Sequence, residues 1–553
     1  MHYVFSLIVT YLFFNLLIVI PTNYIKQTNY GKSLPLVFIS SVLVLYLSQI
    51  IFKSFLIGFY LLLILALFGL FLLVRNIKNK DFLNRYLTNG FYLFIVIFIV
   101  LALYNYKREF NIYDEFSHWG HFVKSMYYNN SFYSFDTLAF AHKEYPPFFS
   151  LFELLWCYLS NSFNEAIITL SIHVFEVSTL FVYYIDSYKK DIKKTLLLMI
   201  ISALLMVSFD YQENTLGSIY VDYPIMLYYA YLVLLTLRLK DNNLYDYILF
   251  VISLSLFLLT KQVSIALYLV ILFLFICLYF KKSKEFFIKL VLIVIFPLLA
   301  YKSWSLVIRD INLSKQFDLS ISDVLSLSNG LSDIQTSTSN NYLLALIKTG
   351  LTNGPLKLPY VLLSIIVIIL LILFIKENKR YKLSLISSMT ISFIGYALLM
   401  YVMYMFCFSE SEMARLASYS RYMGSFMCAS LIITLLLIKF NYKYVIAFSL
   451  VTIITIKPSD CLLKTPYFRL FLPSSKIYKD CANTIKTHDN TLVITENIGY
   501  GNEVIRFYLE DDYNFTYSNE MIDYSDYDYI YFIRYNDLDG LYKVDGDKYT
   551  KLD

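Results

Sequence analysis

Charge is what this 553-residue chain has least of. Only 16% of its residues are Asp, Glu, Lys or Arg, against 58% hydrophobic and 19% aromatic, and the mean hydropathy is +0.59. So little charge on so long a chain excludes the soluble globular class. The N-terminus lacks the basic stretch and small-residue cleavage site of a secretory signal, so MHYVFSLIVTYLFFNLLIVI reads as a retained helix. The six cysteines fit no metal-ligand spacing. Cys157, Cys277, Cys407 and Cys428 fall in or beside apolar runs, where cysteine acts as a small hydrophobe. Only Cys461 and Cys481 have a polar context that allows a disulfide, without requiring one. GYG (Gly499 to Gly501) lacks the third glycine of a dinucleotide fingerprint and reads as a turn. No repeat of the two halves is visible, which speaks against a transporter built on such repeats.

What the chain does have is long apolar runs, recurring from Tyr3 to about Ile456. Each is long enough to cross a hydrocarbon core of ~30 Å, which takes ~20 helical residues, and only helices satisfy their own backbone there. The expected fold is therefore an all-α polytopic membrane protein of about 12 to 14 transmembrane helices. A small C-terminal α/β domain follows it. Residues 1–87 form N-terminal helices, 88–456 the core with a first outer loop at 106–165, and 457–553 the tail. In the tail, LVIT (Leu492 to Thr495) and YIYFI (Tyr529 to Ile533) read as buried strands, and NEVIRFYLE (Asn502 to Glu510) reads as a helix between them.

The basic loops RNIKNKDFLNR, KKDIKK, KKSKEFFIK and KENKRYK set the orientation, since short Lys/Arg-rich loops stay cytoplasmic. All four fall inside if PPFFSLFELLWCYLS (Pro146 to Ser160), short for a span, lies along the outer face as an interfacial helix. Then YDEFSHWGH, the Lys261-Gln262 break, the Ser/Asn-rich loop at 309–358, SESEMARLASYSRY and the tail are all outside. The tail carries 17 acidic against 11 basic residues and the rest of the chain 24 against 35, which suits an external tail.

Three outer clusters could do chemistry, because ionisable groups at a membrane boundary are costly to desolvate. The first is Asp114 and Glu115, followed by an amphipathic helix carrying His118 and His121 on one face. Lys261 between two spans is the second, and Glu410, Glu412, Arg415 and Arg421 form the third. A carboxylate can take a proton from a hydroxyl while cations hold a phosphate. The plainer readings are a helix cap for Asp114 and Glu115, snorkelling for Lys261, and a salt bridge from Glu412 that occupies Arg415 or Arg421.

The Asp-Glu pair followed by HKEYPPFFSLFELLW, then LLTKQVSIAL, then ARLASYSRYMG, resembles in order and layout the GT-C glycosyltransferases. That superfamily includes the dolichyl-phosphate-mannose protein mannosyltransferases and the lipid A aminoarabinose transferases. The resemblance covers residues 88 to 440 in layout and a few short motifs in identity. It implies transfer of a sugar, with inversion, from a polyprenyl-phosphate donor to a glycan, lipid or protein acceptor on the extracytoplasmic face of an integral membrane protein. Asp114, or Glu115, would be the base. Lys261 and Arg421 would bind the donor phosphate, with Arg415 as a further candidate. His118, Trp119, His121, Tyr145 and Asp222 would contact substrate. No metal site and no cofactor is assigned, a divalent cation stays open, and no nucleic-acid partner is implied. The rival classes are a lipid-linked polysaccharide polymerase or ligase, and a flippase for a lipid-linked saccharide.

Overall fold

The computed structural model describes residues 2–132, 141–210, 218–239, 244–313, 331–348, 358–375, 377–438, 474–488, 490–495, 498–509, 515–546 and 548–552. The chain is mostly helical. In order the helices are α1 (His2–Tyr24), α2 (Tyr30–Phe52), α3 (Phe55–Asn76), α4 (Lys80–Tyr86) and α5 (Asn89–Tyr104). After a π turn (Glu115–Trp119) come α6 (Gly120–Asn129), α7 (Phe148–Ser160), α8 (Glu165–Ser187), α9 (Ile192–Asp210), α10 (Asp222–Thr236), α11 (Leu244–Phe257), α12 (Ser264–Tyr279) and α13 (Lys284–Asp310). Then follow α14 (Asp333–Ile347), α15 (Tyr360–Phe374), α16 (Lys379–Phe406), α17 (Glu410–Arg415), α18 (Tyr419–Leu437), α19 (Ser474–Ile485) and α20 (Ile498–Tyr508).

Among the described residues seven helices, α1, α2, α3, α8, α13, α16 and α18, are long and apolar enough to cross a membrane. The pair α4 and α5 passes the same test together but is bent by 44° between its halves, so the count is eight where this pair is taken as one broken span. That is fewer than the roughly 12 to 14 transmembrane helices expected, because several of the apolar runs form helices too short to span; residues 439–473, with Cys461 and its pairing, lie outside the described residues. α8 and α10 are buried almost along their whole length, whereas α1, α3 and α13 turn large apolar side chains outward.

Two of the sequence expectations are corrected. The segment at 146–160 does not lie along a surface: α7 is buried on every side against α1, α2, α6 and α8, and Trp156 within it is fully enclosed. Its apolar residues run all round the helix, so protein rather than an interface covers it. The Ser/Asn-rich loop contains α14, opened by a capping box in which Ser332 and Gln335 satisfy each other's amides.

One carboxylate organises the bundle end far from the outer loop. Asp186, in the last turn of α8, accepts the amides of Gly31 (2.8 Å) and Gly90 (2.9 Å) and the Thr88 hydroxyl (2.6 Å), so it closes the N-termini of both α2 and α5. Free first-turn amides favour a negative charge there. The approach requires glycine, since a Cβ on Gly31 would come within 2.5 Å of the Val182 carbonyl and of Asp186 Cβ.

The tail contains a five-stranded sheet in the order β2-β1-β3-β4-β5, with β1 (Thr491–Thr495), β2 (Phe515–Ser518), β3 (Tyr529–Tyr535), β4 (Leu538–Asp545) and β5 (Lys548–Lys551). β2, β1 and β3 run parallel, and β4 and β5 return antiparallel. GYG sits in the first turn of α20 rather than in a free turn. This helix docks the tail onto the segment after α5. Phe507 packs against Phe110, Phe116 and His121. Tyr508 donates to Glu165 (2.8 Å), Tyr500 to the Asn111 carbonyl (3.0 Å), and Lys124 to the Phe507 carbonyl.

Candidate active site

The segment 105–119 that leads out of α5 has few backbone bonds of its own, and Glu115 supplies what it lacks. Its Oε2 accepts the amides of Asn111 (2.7 Å) and Ile112 (2.9 Å), and its Oε1 accepts that of Ile219 (3.2 Å). The side chain is fully buried. Burial raises its pKa, and nearby Arg108 and the three amides pull it back down. Glu115 is thus a buried staple between this segment and the start of α10, with both oxygens engaged by backbone amides, so its reading as an alternative base is corrected.

Asp114, one residue earlier, points the other way and is partly open, its side chain 24% exposed. Its Oδ2 lies 3.6 Å from Arg421 Nη1, in the first turn of α18. On its far side Arg421 Nε stands 3.2 Å from Asp222 Oδ2, at the first residue of α10, and Asp222 Oδ1 accepts from Lys261 at 3.1 Å. Four side chains from four distant segments thus alternate in charge: Asp114, Arg421, Asp222, Lys261. Asp222 suits the positive end of α10, whereas Arg421 stands at the unfavourable end of α18 and needs its two carboxylates. The Arg421-Asp222 contact is an ion pair by distance but lies off a hydrogen-bond line. Among the described residues Arg421 Nε and Asp222 Oδ2 are both buried without a hydrogen-bond partner. Buried charged groups with unused hydrogen-bond capacity are costly unless something completes them.

Aromatic rings wall the cluster. Arg421 lies over Tyr220 (4.5 Å) and Tyr422 (5.1 Å), and Lys261 over Tyr422 (5.2 Å) and Tyr145 (5.8 Å). Burial and the Asp114 charge push the Tyr220 hydroxyl well above its usual pKa, so it stays a neutral donor. Beside Lys261 and Asp222 lies a cavity of about 110 Å³, lined by those two with Tyr145 and Tyr422 and otherwise largely by apolar side chains, among them Met226, Met400 and Met403.

The two histidines part company. The turn between them is π-helical, with more residues per turn than an α-helix, so side chains three apart no longer share a face. His118 packs against Trp119 (4.9 Å), His142 (4.9 Å) and Tyr145 (5.7 Å), with Nδ1 2.8 Å from Ser117 Oγ. His142 and Trp119 in turn stack on Tyr145 at 4.7 and 5.3 Å. This group therefore fixes the ring that faces Lys261. Burial, together with His142, Lys261 and Arg421, holds the His118 pKa well below its usual value. His121 faces the tail, against Phe507 at 5.1 Å, which corrects its reading as a substrate contact. Burial, then Lys124 and Arg506, lowers its pKa to about 3.

Arg415 is exposed at the end of α17 and joins none of these contacts, so its donor-phosphate reading is corrected too. Glu412 caps α17 through Ser409 rather than occupying either arginine. Sequence reasoning missed Tyr220, Tyr422 and His142, because in a chain with 53 tyrosines nothing local marks the few beside a charge. Among the described residues no group of three or more His, Cys, Asp or Glu side chains is arranged to hold a metal ion. No family model, no curated protein and no solved structure matches this chain.

Proposed function

We propose that the chain is a polytopic membrane glycosyltransferase of GT-C-like layout that moves a sugar from a polyprenyl-phosphate donor to an acceptor hydroxyl at the extracytoplasmic boundary. The observation that carries the reading is the chain of ion pairs that joins a partly open carboxylate, Asp114, through the buried Arg421 and Asp222 to the partly buried Lys261, with Asp222 and Lys261 lining a cavity whose other walls are largely apolar. An amphiphilic phosphodiester fits that polarity.

In the proposed reaction the acceptor oxygen attacks the anomeric carbon and its proton passes to Asp114. The carbon-oxygen bond to phosphate breaks, and the electron pair leaves with the polyprenyl phosphate. Arg421 and Lys261 stabilise the charge that develops on it, Arg421 through the Nε-H that makes no hydrogen bond among the described residues. One displacement inverts the anomeric centre. Asp222 holds both cations in place and, with Asp114, balances their charge.

The test is incubation of the purified protein with a panel of radiolabelled polyprenyl-phosphate sugars, comparing wild type with Asp114→Asn. Loss of sugar from one donor in the wild type, and not in a folded Asp114→Asn, is the expected result. Release that persists in the variant removes Asp114 as base. No release from any donor by folded wild type, with an acceptor extract present, turns the reading to the polymerase, ligase or flippase classes.

A further inference from the structure

A second cavity lies away from the site. A groove of about 860 Å³ runs between α2, α11 and α13, and its walls are almost wholly hydrocarbon: Leu47, Ile248, Val251, Leu292, Phe296 and Leu299. Two of the hydroxyl pairs along it are spent within the protein, Tyr46 with Ser303 (2.8 Å) and Ser255 on the Val251 carbonyl (2.8 Å), so most of its length offers an occupant hydrocarbon. From Lys289 to Ser303 along α13 it covers about 21 Å at ~1.5 Å per residue, more than one leaflet of a hydrocarbon core of ~30 Å.

Its two ends differ. At one, Tyr46 and Ser303 close on each other. At the other, Lys289 lines the groove, bonded to Glu285 (2.5 Å) and 4.2 Å over the Tyr247 ring. Lys281, Lys282 and Lys284 stand exposed just before it. Four lysines against one glutamate make that rim strongly cationic, and a basic cluster beside an apolar crevice is complementary to the phosphate and chain of an anionic lipid. We propose that the groove seats an acyl chain of an anionic phospholipid whose phosphate lies among Lys282, Lys284 and Lys289. This rests on the membrane reading and not on sugar transfer, so donor assay and lipid assay fail independently.

The experiment uses the full chain purified in mild detergent. Mass spectrometry of extracted lipid identifies what remains bound, and thermal shift is read with added phosphatidylglycerol or phosphatidylcholine. The expected result is about one anionic phospholipid per chain and a phosphatidylglycerol-specific rise in melting temperature. Retention falls at least fivefold in Val251→Trp, which fills the groove. The rise disappears in the surface variant Lys282→Glu with Lys284→Glu, which leaves the groove and its packing untouched. Equal stabilisation by phosphatidylcholine, or no retained lipid in the wild type, overturns the proposal. So does recovery of a prenyl phosphate that Val251→Trp displaces, which would assign the groove to the sugar donor.

Discussion

Acidification should loosen the tail from the segment that carries Asp114, and His121 sets the size of the effect. Its ring is buried against Phe507 of α20 with Lys124 and Arg506 nearby, and its pKa falls to about 3 from an ordinary ~6.5. A base whose folded pKa is depressed is neutral in the docked state and takes up a proton once released. Stability is therefore complete above about pH 6.5 and declines as pH falls from there toward about 3. pH 5 lies about 1.5 units below the pKa of the released imidazole, worth about 2 kcal/mol, or a ~30-fold larger open population. Hydrogen exchange of the α20 amides at pH 7 and pH 5, corrected for intrinsic rates, reads that population directly. His121→Phe keeps the ring contact and removes the proton site, so it should lose little protection over the same interval. Equal loss of α20 protection in wild type and variant would refute the assignment to His121.

Other expectations follow from the same contacts. Glu115→Gln removes a charged acceptor of three amides and should cost about 1.5–3 kcal/mol of stability, seen as a lower melting temperature together with reduced turnover. A Glu115→Gln protein of wild-type stability would show that the staple is unimportant. Gly31→Ala forces a Cβ against the Val182 carbonyl and should destabilise by about 1–3 kcal/mol through overpacking; thermal unfolding measures it, and an unchanged midpoint would contradict the close approach. Lys261→Ala and Arg421→Ala should each lower donor turnover about 100-fold, whereas Arg415→Ala, away from the cluster, should stay within about twofold. The ratio between these variants tests the cluster, because comparable losses at all three would mean that charge alone and not position matters.

How much of this was legible beforehand depends on the range of the interaction. Apolar runs of about 20 residues dictate helices locally, and the short β-branched and aromatic runs LVIT and YIYFI mark buried strands whichever partner they pair with. Lys261 stands out in LLTKQVSIAL because a single cation between two apolar runs contrasts with its neighbours. Asp114 and Glu115 were equally visible and could not be told apart: adjacent residues differ in direction, and direction depends on the backbone they meet. Only the fold showed that the Ile219 amide, over a hundred residues away, claims Glu115 and leaves Asp114 facing Arg421. The π turn that separates His118 from His121, the enclosure of α7 and the idleness of Arg415 have the same origin. Each depends on which distant segment fills the neighbouring space. The sequence by itself determined where most of the chain is helical and where its charge is concentrated, since these follow from local apolarity and from residue type. Tertiary structure alone decided which of those charges share one low-dielectric site, because pairing at 3 to 4 Å is a property of packed segments and not of their order along the chain.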